Sequence, residues 1–184
     1  MDDLQAIQSL KNGGIGGLEF LVARYQSKAI RVAFLVTHDQ ALAEDVVQDS
    51  FMRIYRRIHQ FDMSHPFEPY FLRSVVNASL NAVKQSNRHL SLDGDLEHVE
   101  GLLAQAASVE SDVEYIQMKQ EIITSLARLE PRQRAVVVQR YYLEMSEKEM
   151  AAVLDIPSGT VKWLLNTART KLRILLGWEE NWNE

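Results

Sequence analysis

The sequence predicts an all-α protein: two small helical domains joined by a flexible acidic linker. Three observations predict it. Apolar residues recur at helical spacing through most of the 184 residues. No alternating Val/Ile/Thr-rich run is bounded by turn residues, and only four prolines interrupt the chain. One stretch, 88–112, combines Gly94, Gly101, two short apolar patches and an uncompensated acidic run, which marks a boundary. The expected domains are therefore 1–87 and 113–184, with 88–112 as the linker.

Taken in order, residues 18–36 read as a helix with Leu18, Leu21, Val22, Tyr25, Ala29, Val32 and Ala33 on one stripe. Before it, Gly13-Gly14-Ile15-Gly16-Gly17 reads as a flexible lead-in. Thr37 or Asp39 caps the next helix, roughly 40–59. Val47, Phe51, Ile54, Tyr55 and Ile58 face inward on it, and Asp45, Gln48, Asp49, Met52 and Arg56 face outward. Pro66 and Pro69 punctuate a loop, and a third helix from about 69 to 87 buries Phe71, Leu72, Val75, Val76, Leu80 and Val83. Its polar side carries Arg73, Asn77, Asn81, Lys84 and Arg88.

Beyond the linker, a helix over about 112–129 turns Val113, Ile116, Ile123, Leu126 and Leu129 inward. Pro131 suits the first turn of a helix running to about Tyr142. Ser146 and Glu149 have capping-box spacing and start a short helix ending near Leu154. Asp155-Ile156-Pro157 forces a turn, because the residue before a proline avoids the helical region. Ser158 is then placed to cap a final helix to about Leu176.

A short helix, a tight turn and a longer helix make a helix-turn-helix. Ala151 is small where the helices cross, and Ile156 plugs the turn. Val161, Leu165, Ala168 and Leu172 face inward on the second helix. That leaves Thr160, Lys162, Trp163, Asn166, Arg169 and Lys171 available to DNA, with Ser158 at a helix N-terminus that offers free N–H groups to a phosphate. The bland alternative is two packed helices with a solvated outer face.

Total charge at first argues against a nucleic-acid partner, being -5. Its distribution argues otherwise. Residues 93–114 carry seven carboxylates and no base, whereas 115–176 carry ten Lys/Arg against six Asp/Glu. Local charge, not total charge, decides contact with phosphates.

Four stretches of residues carry a family resemblance. Leu129-Glu-Pro-Arg-Gln-Arg134, then Tyr141-Tyr142-Leu-Glu-Met-Ser-Glu-Lys-Glu149, then Ile156-Pro-Ser-Gly-Thr-Val-Lys162 resemble region 4 of extracytoplasmic-function sigma factors of the sigma-70 family. Asp45-Val-Val-Gln48-Asp49-Ser-Phe51 resembles their region 2 core. The resemblance covers about 18 to 176, in the family's order and spacing.

The resemblance implies a subunit that brings RNA polymerase to specific promoters for transcription initiation, in a stress or envelope response, under the control of an anti-sigma factor. It implies no enzymatic activity and no cofactor. Domain 1–87 becomes region 2, which binds core polymerase and recognises and melts the -10 element. Domain 113–184 becomes region 4, which recognises the -35 element. Asp45, Gln48, Asp49, Met52 and Arg56 then dock on the clamp helices of the polymerase largest subunit. Asn77, Asn81, Lys84 and Arg88 follow the single-stranded -10 element. The loop Phe61–Pro69 sits where the family captures a flipped base, and Phe67 and Tyr70 either supply a stacking surface there or belong to the core. The linker threads through the polymerase toward the RNA exit path. Ser158, Thr160, Lys162, Trp163, Asn166 and Arg169 meet the -35 element.

Some positions depart from the family pattern. Trp163, Leu164, Asn166 and Thr167 occupy a stretch that often carries arginines, the usual readers of guanine. Tyr70 stands where a tryptophan is common and Asn81 where an aspartate is common. An interaction protein that mimics a sigma factor without reading DNA is therefore the alternative, and a free-standing helix-turn-helix regulator is a third reading.

Other chemistries find little footing. The five histidines, His38, His59, His65, His89 and His98, are scattered rather than paired as zinc needs. Absence of cysteine excludes disulfides and thiolate metal sites. The glycine run lacks the Lys-Ser/Thr of a phosphate loop, and no nucleophile–base–acid set assembles. Met1-Asp2-Asp3 lacks a signal-peptide layout, and no apolar run approaches the ~20 residues that span a bilayer. A cytoplasmic protein without membrane insertion is expected. The tail with Trp178 and Trp182 either packs back on the domain or touches a partner.

Overall fold

A computed structural model describes residues 1–86 and 113–178, with the side chains of 113–116 outside the description. The chain divides into two compact units, Met1–Arg88 and His89–Glu184. The linker segment 88–112, Arg88, Trp182 and the inward positions Val113 and Ile116 lie outside the described residues or side chains. All regular structure among the described residues is helical.

The first unit contains α1 (Asp3–Lys11), α2 (Gly16–Thr37), α3 (Gln40–Arg57), a 3₁₀ turn (Ile58–Gln60) and α4 (Phe67–Gln85). The second helix is central, packing against the other three. Leu21, Tyr25, Ala29, Val32, Ala33 and Val36 of α2 meet Val47, Phe51 and Ile54 of α3 and Phe71, Leu72, Val75 and Val76 of α4 in the buried core. Aromatic rings fill the end of this core near the 3₁₀ turn. Phe51 lies 4.4 Å from Phe71, and Phe67 stacks on Phe71 at 5.6 Å between centroids. Asp39, not Thr37, supplies the side-chain cap of α3, accepting from the Leu42 N–H at 2.9 Å. The Thr37 hydroxyl holds the approach to that cap through the Asp39 backbone.

Two expectations for this unit are corrected. The glycine run is not a flexible lead-in. A helix precedes it, capped by Asp2 and Gln5 in a reciprocal box, and buries Ala6, Ile7 and Leu10. The glycines make a tight corner: Gly13 takes φ +85°, and Gly17 brings α2 against the Ala6 carbonyl, where a Cβ would lie 2.2 Å from the oxygen. Tyr55 is 41% exposed rather than inward. It sits beside Ile54 at the edge of the stripe set by Val47, Phe51, Ile54 and Ile58, and the ring turns outward.

Polar keys tie α1 to its neighbours. The Tyr25 hydroxyl donates to the Asp3 carboxylate, and Arg24 Nε lies 3.5 Å from the same group. Burial, then the bond to Asp3, pushes the Tyr25 pKa well above the ordinary phenol value. Lys28 and Glu68 pair between α2 and α4.

The second unit contains α5 (Val113–Ala127), α6 (Pro131–Val137), α7 (Glu147–Leu154) and α8 (Ser158–Leu175). Pro131 begins α6 as expected. Backbone at Val138–Tyr142 widens into one π turn, in which the Leu143 N–H reaches the Val138 carbonyl at 3.1 Å. Arg134 is buried and its guanidinium donates to the carbonyls of Ala127 and Leu129 at 2.9 and 3.2 Å, closing the corner between α5 and α6. Burial depresses its pKa, yet a guanidinium stays charged. Val136, Met145, Met150, Val161, Leu164 and Leu165 form the core, with Ala151 and Ile156 packed against it.

Gln139 sits in this apolar unit fully buried, with neither amide atom hydrogen-bonded among the described residues. An unmet buried amide costs about 1–3 kcal/mol. Gln139→Met conserves volume and removes that cost, so it is expected to stabilise the unit by about 1–2 kcal/mol. Urea unfolding followed by tryptophan fluorescence checks this, because all three tryptophans lie beyond residue 162. A lowered midpoint would show that the amide is satisfied.

Candidate functional site

Three surfaces hold the residues singled out by the sequence. On α3, Asp45, Gln48, Asp49, Met52 and Arg56 are all exposed and share one face. Behind them Val46, Val47, Ser50, Phe51 and Ile54 are buried, and the Ser50 hydroxyl returns to the Val46 carbonyl at 2.7 Å. Arg56 and Arg57 lie in the last turn of the helix, which suits the helix dipole, whereas its first turn holds no acidic residue. The result is a rigid strip with carboxylates and an amide at one end and guanidinium groups at the other.

The second surface is the loop after the 3₁₀ turn and the outer side of α4. Asp62 organises the loop. Its carboxylate accepts from the Ser64 N–H at 2.9 Å and lies 3.1 Å from His65 Nδ1, while the His65 N–H reaches the Asp62 carbonyl. The Ser64 bonds hold the Asp62 pKa below the ordinary carboxylate value. Asp62, Ser64, His65 and Pro66 stay exposed on a loop whose backbone is already set. The two aromatic candidates separate: Phe67 is 2% exposed and belongs to the core, whereas Tyr70 is 44% exposed with its ring 4.9 Å from Phe61. Along α4, Asn81 and Lys84 are exposed, and Arg73 and Asn77 are half-buried.

The third surface is the helix-turn-helix of α7 and α8. Ser146 accepts from the Glu149 N–H at 3.3 Å, and Glu149 accepts from the Ser146 N–H at 2.9 Å. Asp155 takes the left-handed conformation, φ 51°, and the Ile156 N–H closes on the Ala151 carbonyl at 3.1 Å. Ser158 does not cap α8: Pro157 is the cap residue, and Ser158 is the first residue of the helix. Proline fixes the extended-to-helical transition without a side-chain bond. Lys162, Trp163, Asn166 and Arg169 are exposed and Thr160 is half-buried. Trp163 is 62% exposed, the most open of the described large apolar side chains of this unit. Leu164 is buried and Leu172 half-buried, so the inward stripe is Val161, Leu164, Leu165 and Ala168. Leu164 therefore belongs to the core, not to the outer face. Four bases and no acid lie on Ser158–Leu175.

Two contacts had no sequence signal. The Tyr141 hydroxyl, presented by the π turn, accepts from Arg169 Nε at 2.7 Å, and its ring lies under the same guanidinium. Lys11 Nζ donates to the Phe61 carbonyl at 2.8 Å across fifty positions of sequence.

With this geometry in hand, comparison with known proteins is specific. Residues 21–89 match the family Sigma-70 region 2, and residues 119–172 match Sigma-70, region 4. The ECF RNA polymerase sigma factor SigW of Bacillus subtilis (strain 168) is 27% identical over 173 residues, spanning 91% of this chain and 92% of that protein. The chain belongs to the sigma-70 family, as an extracytoplasmic-function sigma factor.

The fold agrees. CnrH, solved in complex with the cytosolic domain of CnrY, superposes on this sigma factor with a TM-score of 0.63 at 21% identity, over 97% of this chain and 99% of CnrH. RpoE from Bartonella quintana, solved with the anti-sigma factor NepR, gives 0.61 at 18% identity over 88% and 98% of the two chains. As a sigma factor the chain directs RNA polymerase to promoters for transcription initiation. Its α3 and α4 and most of α2 fall in the region 2 match, and α7 with all but the last three residues of α8 in the region 4 match, whereas α1 precedes both. No helix among the described residues is long and apolar enough to cross a membrane.

Proposed function

We propose that this sigma factor divides its work between its two units. The first, 1–87, binds core polymerase and captures the -10 element; the second, 113–184, reads the -35 element; residues 88–112 connect them through the polymerase. One observation carries the reading: the carboxylate–amide strip of α3 is exposed, rigid and unencumbered by packing, inside the region 2 match. Exposed carboxylates and an amide suit arginines on partner helices, here the clamp helices of the largest subunit. Asp45, Gln48 and Asp49 supply the acceptors, with Met52 and Arg56 beside them.

On the DNA side, Asn77, Asn81 and Lys84 follow the melted strand, and the same role is assigned to Arg88, which lies outside the described residues. Tyr70 offers a stacking face. Phe67 does not, being buried. Ser158, Thr160, Lys162, Trp163, Asn166 and Arg169 face the -35 element, with the helix N-terminus toward a phosphate. Trp163 brings apolar contact where the family often has a base, which favours thymine methyl groups over guanine.

An anti-sigma factor regulates the protein by covering these surfaces. The solved pairing of RpoE with NepR supports this. The protein acts in the cytoplasm, as a binding subunit and not an enzyme, and needs no cofactor. A stress or envelope signal is the matching input.

The test is transcription by core polymerase on a pool of genomic DNA, with and without the protein. Discrete new start sites sharing upstream -35 and -10 sequences are expected, with cross-links from Lys162 or Arg169 to the -35 element. Core binding without any new start would instead establish a mimic that occupies polymerase or an anti-sigma factor.

A further inference from the structure

We infer that α1 is a brace for the loop that follows α3, and that Lys11 is a positioning residue for base recognition by that loop. The inference rests on the reading of Phe61–Pro69, whose residues 61–66 precede α4, as the base-capturing loop. Nothing in the region 2 match covers α1, since that match starts at residue 21.

The helix is keyed at three points. At its start, Asp3 receives the Tyr25 hydroxyl and lies beside Arg24. In its middle, the Ala6 carbonyl and the Leu10 side chain rest directly on Gly17, so the crossing with α2 has no slack. At its end, the Lys11 ammonium donates to the Phe61 carbonyl at 2.8 Å. These keys fix where the ammonium stands relative to the core.

Phe61 is the residue at which the chain leaves the 3₁₀ turn. Its N–H closes on the Ile58 carbonyl, and its ring sits 4.9 Å from Tyr70 and 5.8 Å from Phe67. Immediately after it, the Asp62 carboxylate holds Ser64 and His65 in a turn with their side chains exposed. The loop is thus tied from within by Asp62, from below by the aromatic cluster, and from outside by Lys11. A lysine at the end of a short helix ordinarily extends into water. Here it is half-buried and spent on a backbone carbonyl, a charge-assisted bond that orients the peptide entering the loop. Capture of an unstacked base gains from a receptor already in its bound shape, because the loop then loses less freedom on binding. Freeing the Phe61 carbonyl lets the loop sample other shapes, which weakens capture and blurs discrimination between bases.

The experiment uses holoenzyme assembled from the full chain and the strongest promoter recovered from the genomic pool. Lys11→Met keeps the apolar stem and removes the donor; Lys11→Arg restores a donor. Transcription is compared on the native promoter and on single-base variants across its -10 element, alongside core affinity and thermal unfolding. Lys11→Met is expected to lose about three- to tenfold on the native promoter, less than the full worth of a charge-assisted bond because the loss acts only through the loop, and to narrow the gap between native and variant bases. Core affinity should not change, and Lys11→Arg should restore the discrimination. An unaltered base preference in Lys11→Met, with any loss tracking thermal stability alone, overturns the inference. Ser64→Ala and His65→Ala separate the two levels. If they shift base preference while Lys11→Met does not, only the brace is wrong. If they leave base preference untouched, the loop does not read the base, and the brace falls with it.

Discussion

Reversing both carboxylates on α3, Asp45→Lys with Asp49→Lys, is expected to weaken binding to core polymerase by at least about a hundredfold. Each carboxylate in the proposed interface accepts a charge-assisted bond worth about 1.5–3 kcal/mol, and a lysine facing arginine adds repulsion. Two such losses reach about 3–6 kcal/mol, and about 1.4 kcal/mol is tenfold. Both residues are exposed, so stability should stay within about 0.5 kcal/mol of the parent. Co-sedimentation or anisotropy titration with core polymerase, beside a thermal melt, measures both quantities. Undiminished binding would reduce this face to a solvated one and move the docking site elsewhere on the chain. Charge reversal distinguishes these cases better than alanine, because a solvated face tolerates either sign.

The second large effect is at Gly17. Gly17→Ala places a methyl group about where the Ala6 carbonyl oxygen stands, 2.2 Å away, and backbone on both sides must move. Overpacking of this kind costs about 1–3 kcal/mol. Alanine returns up to about 1 kcal/mol of helix propensity, and with the 2.2 Å clash falling on backbone the cost sits at the upper end, so a net loss of up to about 2 kcal/mol is expected. For a unit of this size that lowers the midpoint by up to about 10 °C. The adjacent Gly16 is the control. Its added Cβ meets nothing within 4 Å, so Gly16→Ala should be neutral or slightly stabilising. The first unit has no tryptophan, so tryptophan fluorescence follows the second unit, and the first unit's transition is the part of the circular dichroism change that fluorescence does not track. Equal behaviour of the two alanine variants would mean that α1 lies loosely on α2.

The contrast between these glycines shows where reading a sequence stops. Composition alone made the run Gly13–Gly17 look like a flexible lead-in. Its role depends on which backbone lies opposite each position, and that is set by a helix crossing. Pro131 and the Ser146–Glu149 box were legible, and the cap of α3 was narrowed to Thr37 or Asp39, because capping is a contact within a few residues. Ser158 misled because Pro157 also starts a helix, and local chemistry did not rank the two.

The sequence by itself determined the helical class, the inward stripes and the order of the two family blocks. Each of these is written in spacing along the chain. It also determined the outward strip Asp45, Gln48, Asp49, Met52 and Arg56, because the complement of a strong apolar stripe must face solvent. Only the tertiary structure decided the boundary cases. Tyr55 and Phe67 are both aromatic residues at the margin of a stripe, and packing sends one out and the other in. Leu164 joins the core because α8 crosses α6 and α7 on that side. Arg134, a cation that hydropathy places outside, is buried because two carbonyls at a helix corner need its donors. The meetings of Tyr141 with Arg169 and of Lys11 with Phe61 join residues far apart in sequence. No periodicity encodes such pairs, because their distance is fixed by how whole helices pack rather than by the path of the chain between them.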